Sequence, residues 1–190
     1  MAKQFGIWYD LERCIGCHAC SVACKIENNV DEGIAWHKVK TIGGKHMDTP
    51  SGAYPNLKMR WEPTLCMHCK DAPCMQVCPA GAITRRDDGI VVLDPDVCYG
   101  LECKECTSAC PYGVIEINEK EGVMEKCNLC YHRIDQRLQP ACVDACVYEA
   151  TFFGDLNDPD SVISKKLKEK GGGVLLPERG TDPAVYYWEK

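Results

Sequence analysis

Short segments in which apolar and polar residues alternate recur along this chain, and each alternation predicts a β-strand. The first strand is predicted over residues 4–10, and a short helix is predicted over residues 19–28. Two further alternating segments, around residues 36–42 and 57–61, are separated by Gly, Pro and Ser and predict a pair of strands. Residues 161–170 have the pattern of a helix that ends at a glycine.

The middle of the chain repeats one pattern. Alternating segments on either side of a polar, glycine-containing turn predict two hairpins, over residues 82–93 and 113–124. Residues 78–83 match residues 110–115, and each copy begins with Cys-Pro. We therefore expect a repeated unit made of a cysteine-rich loop, a short helix and a hairpin. Further extended segments are predicted at residues 150–153 and, in the tail, around Pro177 and Pro183.

Cysteine is the most informative residue type in this sequence, because 16 of the 190 residues are Cys. They form four groups of four: Cys14, Cys17, Cys20 and Cys24; Cys66, Cys69, Cys74 and Cys78; Cys98, Cys103, Cys106 and Cys110; Cys127, Cys130, Cys142 and Cys146. The spacing Cys103-x-x-Cys106-x-x-x-Cys110-Pro is that of bacterial ferredoxins. In such a run, closely spaced cysteines hold one iron–sulfur cluster and the last cysteine ligates the neighbouring cluster. Sixteen thiols with none left over predict four [4Fe–4S] clusters.

Complete cysteine ligation leaves no iron open to a substrate. We therefore expect clusters that only pass electrons, and no catalytic residue. Apart from the eleven residues between Cys130 and Cys142, the gaps within the groups are two to four residues, which is unsuited to disulfides that join distant parts of a chain. A zinc-stabilised interaction module is the alternative of another class, although zinc sites need only two Cys-x-x-Cys pairs and no trailing proline.

The formal charge of the chain is −6, and cluster-bound thiolates would add to it. An acidic protein of this kind is not expected to bind nucleic acid. No apolar run approaches the ~18 residues of a membrane span. The first residues also have neither the apolar stretch nor the twin arginines of a secretion signal, so no targeting segment is expected.

Lysines and histidines lie beside several of the cysteines. The following lysines each adjoin a cysteine, and we expect them to be solvated, with a local rise in cluster potential as the alternative: Lys25, Lys70, Lys104 and Lys126. His18 and His68 lie inside cysteine loops and are expected to pack at the surface, with proton coupling or hydrogen-bond donation to a cluster sulfur as the alternative. The pattern offers no partner for His37, His46 or His132. The four tryptophans, Trp8, Trp36, Trp61 and Trp188, are expected in the core or at subunit contacts.

The four groups together resemble the four-cluster iron–sulfur subunits of molybdopterin oxidoreductases. The nearest set is the beta subunits of dimethyl sulfoxide, polysulfide, thiosulfate, tetrathionate and arsenate reductases. The similarity covers nearly the whole chain through residues 14–28, 65–74, 110–113, 125–130, 140–146, 153–159 and 176–183. Two features depart from the family pattern. Four residues, not two, separate Cys98 from Cys103, which predicts a bulge, and Val147 follows Cys146 where the family often has Pro.

The resemblance implies an α+β fold of two ferredoxin-like bi-cluster units with an insertion and a C-terminal extension. One unit would comprise residues 1–30 and 112–154, and the other residues 63–111. Residues 31–62 would form a β insertion. Residues 155–190 would form an extension that packs on a partner or on the core.

The resemblance also implies which cysteines share a cluster. Cluster one would be held by Cys14, Cys17, Cys20 and Cys146; cluster two by Cys127, Cys130, Cys142 and Cys24; cluster three by Cys66, Cys69, Cys74 and Cys110; cluster four by Cys98, Cys103, Cys106 and Cys78. Cluster one would face a molybdenum or tungsten catalytic subunit. Cluster four would face a membrane-anchor or other electron partner.

The expected function is therefore that of a non-catalytic subunit that carries single electrons between a molybdopterin subunit and a quinol-linked membrane subunit or another redox partner. The alternative is the same role in a formate dehydrogenase, hydrogenase or aromatic hydroxyl-transfer complex. We expect a soluble subunit of a membrane-associated complex. Its compartment stays open between the periplasm, reached with a signal-bearing partner, and the cytoplasm.

Overall fold

The computed structural model describes residues 3–46 and 49–190, without the side chains of residues 45 and 46, so the prediction for His46 lies outside the described residues. The fold mixes helices with small sheets. The strands are β1 (Phe5–Asp10), β2 (Lys38–Ile42), β3 (Gly44–His46), β4 (Thr49–Pro50), β5 (Arg60–Thr64), β6 (Ile83–Arg85), β7 (Val91–Leu93), β8 (Glu116–Asn118), β9 (Val123–Glu125), β10 (Thr151–Asp155) and β11 (Val185–Trp188). The helices are α1 (Ala19–Glu27), α2 (Pro73–Gln76), α3 (Glu105–Ala109), α4 (Tyr131–Ile134), α5 (Ala141–Asp144) and α6 (Val162–Lys170), and two 3-10 turns cover Gly100–Glu102 and Pro177–Arg179.

The largest sheet joins distant parts of the chain in the order β10-β1-β11. Strand β1 is antiparallel to β10 and parallel to β11, and it is the central strand. Its residues Ile7, Trp8 and Tyr9 have no exposed surface. A central strand covered on both faces is expected to be apolar on both faces, as these three residues are. The predicted strands at residues 4–10 and 150–153 are confirmed.

The insertion is built on strands, as predicted. Strands β2 and β5 pair antiparallel, with Lys38 opposite Thr64. The second strand begins later than predicted, at Arg60, and Leu57 is left 51% exposed. The Tyr187 hydroxyl of β11 donates to the carbonyl oxygen of Pro63 at 2.8 Å, which attaches the insertion to the central sheet.

Both predicted hairpins are present, as β6–β7 and β8–β9, and both are antiparallel. Each follows a short helix, α2 or α3, that carries ligand-type cysteines. The repeat of loop, helix and hairpin is thus confirmed. At the first hairpin turn Gly89 has φ +83°, a conformation that glycine adopts without strain.

Helix α6 begins where predicted, because the Ser161 hydroxyl caps it by accepting from the N–H of Ser164 at 3.2 Å. It ends at Gly171, whose φ is +78°. The predicted extended piece around Pro177 is wrong, since Pro177 starts a 3-10 turn. Proline has a φ suited to the first turn of a helix, which explains the difference.

Cysteine-rich loops form much of the apolar core. Leu65, Met67, Ile90, Met124 and Leu129 are at most 2% exposed and pack in one cluster with cysteine side chains. The cysteine loops are therefore part of the apolar core and do not lie on its surface. Within the described part of the chain, no helix has both the length and the apolar character needed to cross a bilayer.

Candidate iron–sulfur centres

The structure gathers the cysteines into four sets, and each set takes three cysteines from one group and one from another. The charges within each set act on one another, and two of the sets also line cavities. Set one is Cys14, Cys17, Cys20 and Cys146; set two is Cys24, Cys127, Cys130 and Cys142; set three is Cys66, Cys69, Cys74 and Cys110; set four is Cys78, Cys98, Cys103 and Cys106.

Set one lines a cavity at the surface, between the first loop and the end of α5. Burial raises the pKa of Cys20 to about 11, and the charges of Cys14, Cys146 and Cys17 act in the same direction. Cys17 is exposed, and the other three thiols are partly covered. This set is the one whose sulfurs come closest to solvent.

The loop of set one depends on Gly16. Its φ is +67°, and a Cβ atom there would lie 2.3 Å from the indole ring of Trp61. Only glycine combines this backbone conformation with so close an approach. The insertion, which carries Trp61, thus closes over the first cysteine loop.

Set two lies in the core, and all four of its cysteines are buried. Burial raises the pKa of Cys24 to about 12, and the charge of Cys130 adds to the effect. Burial likewise raises the pKa of Cys127 and of Cys142 well above the ordinary value. Helices α1 and α5 pack together and carry Cys24 and Cys142 into the same space.

Set three is also buried, apart from the half-buried Cys110. Burial raises the pKa of Cys74 to about 12, and the charges of Cys66, Cys110 and Cys69 contribute to the rise. The raised pKa values of Cys24, Cys127, Cys142 and Cys74 mean that these thiols do not ionise readily by themselves. Metal binding takes the proton off such a thiol and supplies the compensating charge.

Set four lines a second cavity near the surface. Burial raises the pKa of Cys106 to about 11, and the charges of Cys98, Cys78 and Cys103 act in the same direction. The longer spacing between Cys98 and Cys103 bulges as predicted, and it does so as a 3-10 turn.

Gly100 makes that bulge possible. It has φ +63°, and a Cβ atom there would lie 2.0 Å from the carbonyl oxygen of Gly122. The extra residues are therefore folded tightly against the β8–β9 turn instead of extending into solvent.

Hydrogen bonds reach one or more sulfurs in each of sets one, two and four. The donors are the N–H groups of Ala150 to Cys146 (3.2 Å), Leu129 to Cys127 (3.3 Å) and Gly100 to Cys98 (3.4 Å), and the Asn28 amide to Cys24 (3.8 Å) and Cys130 (3.7 Å). Such donors stabilise metal-bound thiolates and tune their potential. Four thiols with amide donors fit an iron–sulfur cluster. Among the described residues, no three His, Cys, Asp or Glu side chains converge closely enough for a single metal ion.

The sets are adjacent in the order one, two, three, four. The charge of Cys20 in set one acts on Cys142 in set two. The charge of Cys66 in set three acts on Cys127 in set two. Sets three and four share helices, because α2 carries Cys74 just before Cys78 and α3 carries Cys106 just before Cys110.

Two expectations for polar residues near the cysteines are wrong. Lys126 is not solvated but 3% exposed, and its ammonium donates to the carbonyl oxygens of Val91 and Cys127. His68 is not at the surface but 1% exposed, and its Nδ1 accepts from the N–H of Val91 at 3.0 Å. Both are buried by β7, a contact that the spacing of the cysteines does not reveal. His18 is half-buried, with its Nε2 covered and unpartnered in the described structure.

Two other histidines have hydrogen-bond partners that the sequence pattern did not predict. The Nε2 of His37 lies 2.9 Å from the Tyr9 hydroxyl, and the ring is buried. Burial lowers the pKa of His37 to about 4, so the ring is neutral. His132 lies 2.8 Å from a carboxylate oxygen of Glu27.

Comparison with known proteins agrees with this geometry. A family described as a 4Fe-4S dicluster domain matches residues 57–156, and one described as a 4Fe-4S binding domain matches residues 5–26. The chain is thus an iron–sulfur protein of the dicluster ferredoxin class, with mixed helices and small sheets.

Individual relatives extend this result to the whole chain. A dimethyl sulfoxide reductase iron–sulfur subunit of Halobacterium salinarum is 47% identical, over 97% of this chain and 78% of the relative. The arsenate respiratory reductase iron–sulfur subunit of Shewanella sp. strain ANA-3 is 37% identical, over 97% of this chain and 95% of the relative. A third relative, one of the chains of the anaerobic dimethyl sulfoxide reductase of Escherichia coli, is 36% identical, over 93% of this chain and 84% of the relative. The chain belongs to this family of reductase iron–sulfur subunits.

Membership confirms the predicted class of function and the predicted cofactors. The chain is a non-catalytic electron-transfer subunit with four [4Fe–4S] clusters.

Proposed function

We propose that this subunit carries single electrons, through clusters one to four in sequence, between a molybdopterin catalytic subunit and a second redox partner. The observation that carries the proposal is the order of the four cysteine sets, with buried sets in the middle and partly exposed sets at both ends. Such an order provides one entry, one exit and a covered path between them. Related chains are named as subunits of reductases, which supports a catalytic partner.

In this proposal each cysteine set ligates one cluster. The ligands are Cys14, Cys17, Cys20 and Cys146 for cluster one; Cys24, Cys127, Cys130 and Cys142 for cluster two; Cys66, Cys69, Cys74 and Cys110 for cluster three; and Cys78, Cys98, Cys103 and Cys106 for cluster four. The mutual electrostatic effects within each set support this assignment.

The exchange of one cysteine between neighbouring sets supports two bi-cluster units. Residues 1–30 with 112–154 form the unit of clusters one and two, and residues 63–111 form the unit of clusters three and four. Residues 31–62 are an insertion that covers the first loop through Trp61. Residues 155–190 are an extension that adds β11 to the central sheet.

A bound [4Fe–4S] cluster takes up and releases one electron without a change in its bonds to the protein. The residues of this chain supply the thiol ligands, donate N–H hydrogen bonds to their sulfurs, and keep water from the middle sets. Because proteins tune cluster potentials through hydrogen bonds and burial, these contacts determine the energy of each step.

Exposed apolar residues lie near both end sets, where partners would dock. Beside the cysteines of set one in the chain they are Ile15 (42% exposed), Val22 (55%), Val147 (70%) and Tyr148 (51%). Near set four they are Val77 (41%), Val97 (45%), Tyr99 (60%) and Leu101 (41%). Apolar side chains grouped on a surface in this way are typical of protein interfaces. We assign the first surface to the catalytic subunit and the second to a membrane-linked partner, on whichever membrane face the complex occupies.

The test is Cys98→Ser in the complex, purified without oxygen, with Ser108→Ala as a control at an exposed position of the same group. We expect Cys98→Ser to alter the electron paramagnetic resonance (EPR) signal of one cluster and to block turnover with the physiological donor. Turnover with an artificial reductant that acts directly on the catalytic subunit should persist. Unchanged spectra and unchanged turnover in Cys98→Ser would refute the assignment of set four.

A further inference from the structure

Lys126 is a buried cation without a counter-ion in the described structure. It is 3% exposed, and its ammonium donates to the carbonyl oxygens of Val91 and of Cys127, the latter at 3.1 Å. No carboxylate of the described residues forms an ion pair with it. Carbonyl dipoles compensate a buried ammonium only in part, so a charge in this position is unfavourable unless an anion lies nearby.

His68 presents an unsatisfied donor. Its Nδ1 accepts a hydrogen bond from the N–H of Val91 at 3.0 Å, so Nδ1 carries no proton. The proton of the neutral ring is therefore on Nε2. Nε2 is buried, and no acceptor for it is present among the described residues. Buried donors of this kind are rare in native proteins and call for an explanation.

Both side chains are held by the same residue beside set three. Val91 donates its N–H to His68 and offers its carbonyl oxygen to Lys126, so β7 fixes the two donors relative to each other. The charge of Lys126 acts on the His68 ring and on the Cys74 thiol. His68 itself lies in the loop between two cysteines of this set.

A buried water molecule could accept from His68, but it would not balance the charge of Lys126. A single anion beside both donors explains the two observations together. The cluster proposed for set three carries negative charge on its sulfurs in either oxidation state. His68 lies in its ligand loop, and the charge of Lys126 acts on its Cys74 thiol.

We propose that Lys126 and His68 form a buried donor pair that stabilises the reduced state of cluster three and so raises its reduction potential. This proposal rests on the ligand set given under the proposed function. Reduction adds one electron and one negative charge to the cluster, and no bond forms or breaks. A fixed cation and a fixed N–H donor interact more strongly with the more negative state, which shifts the equilibrium toward reduction.

The test is a redox titration of the complex, purified without oxygen and monitored by EPR, with iron and sulfide measured for every variant. Lys126→Met removes the charge and keeps most of the side-chain length. His68→Asn keeps an acceptor for the N–H of Val91 and removes the Nε2 donor. Lys70→Met is the matched control, because Lys70 also adjoins a cysteine of set three but its side chain is 69% exposed.

We expect Lys126→Met to weaken reduction of one cluster about tenfold, which is about 59 mV for a one-electron couple. His68→Asn should shift the same cluster in the same direction by less, and Lys70→Met should leave all potentials unchanged, because water screens an exposed charge. Cys74→Ser identifies the cluster, since it must alter the signal that Lys126→Met shifts.

Unchanged potentials in both variants at full iron content would overturn the proposal, and so would a shift in a cluster that Cys74→Ser leaves intact. If Lys126→Met loses a cluster, the potentials of His68→Asn alone test the proposal, and an unchanged potential in that variant would overturn it. If instead Cys74→Ser affects no single cluster, the ligand set of the proposed function has failed, and this result is distinct from failure of the donor pair.

Discussion

The two middle sets of cysteines differ from the two end sets in burial. In sets two and three every cysteine is buried except Cys110, whereas in sets one and four only Cys106 is buried. The middle sets lie where α1 packs on α5 and where the loops enter the core, and the end sets line cavities near the surface.

This difference separates two demands on an electron-transfer subunit. The middle clusters must be shielded, because water near a cluster changes its potential and exposes it to oxidation. In the proposed function the end clusters lie close to partners, because electrons enter and leave there. The same arrangement of four cysteines therefore meets one demand or the other, according to how deeply the set is buried in the fold. Substitutions in the middle sets should therefore lower the stability of the protein, and substitutions at the end sets should weaken the binding of its partners.

The largest difference is expected between Cys142→Ser and Cys17→Ser. Each should remove one cluster, about a quarter of the iron. Cys142 lies in the core, so its loss should also strongly lower the thermal midpoint, because metal binding and folding are coupled there. Cys17 is exposed, and its variant should unfold close to the wild-type temperature. Anaerobic thermal unfolding measures the thermal midpoint of each variant, and iron analysis measures its cluster content. Equal losses of stability in the two variants would contradict the difference between middle and end sets.

A smaller loss, about 3 kcal/mol, is expected for Gly100→Ala at the end set four. The new Cβ would overlap the carbonyl oxygen of Gly122 and would also require a left-handed conformation. Gly113→Ala is the control, because Gly113 has φ +60° but no atom within 4 Å of a Cβ there. The control should lose only about 1 kcal/mol. Similar melting temperatures for the two variants would show that the bulge can relax.

Stability should depend on pH through His37, by about 2.5 kcal/mol between pH 6.5 and 4. Burial lowers the pKa of His37 from 6.5 to about 4 in the folded state. Between these values the unfolded chain binds the proton and the folded chain does not, so stability is fully present above pH 6.5 and is lost as pH falls toward 4.

His37→Gln checks this expectation, because glutamine can keep the hydrogen bond to Tyr9 without titrating. The variant should lose less stability than the wild type when chemical unfolding at pH 7 and pH 5 is compared. Part of the pH dependence should remain, since burial also lowers the pKa of His68. A variant with the full wild-type pH dependence would exclude His37 as its source.

The smallest effect on stability, within about 0.5 kcal/mol, is expected for Val147→Asp and Tyr99→Asp, since both side chains are largely exposed. Their effect should appear in assembly. Val147→Asp should weaken capture of the catalytic subunit, and Tyr99→Asp should weaken that of the second partner. Pull-down of each partner with both variants provides the measurement. Loss of the same partner in both variants would contradict the assignment of the two ends.

Local sequence patterns predicted the local structure well. Strand β1, helix α1, both hairpins and the glycine that ends α6 depend on residues close together in the chain, where spacing and turn chemistry carry the information. The prediction that each cluster takes one cysteine from another group came from the family resemblance. The cysteines whose charges act on Cys20 and on Cys106 are those that the resemblance implies.

Contacts between distant segments could not be predicted in this way. Lys126 and His68 are polar residues in polar-looking loops, and only the packing of Val91 over them shows that they are buried. The contact of His37 with Tyr9 and the pairing of β11 with β1 likewise depend on tertiary packing, which periodicity does not encode. The extended piece expected at Pro177 failed for a different reason, because proline also suits the start of a 3-10 turn.

The parallel pairing of β11 with β1 has a consequence for biosynthesis. A nascent chain that has released only its first 180 residues from the ribosome leaves one edge of β1 unpaired, next to the site of the first two clusters. Residues 185–188 must emerge before that edge is covered. A polypeptide that terminates before residue 185 therefore keeps this strand edge open as a template for aggregation.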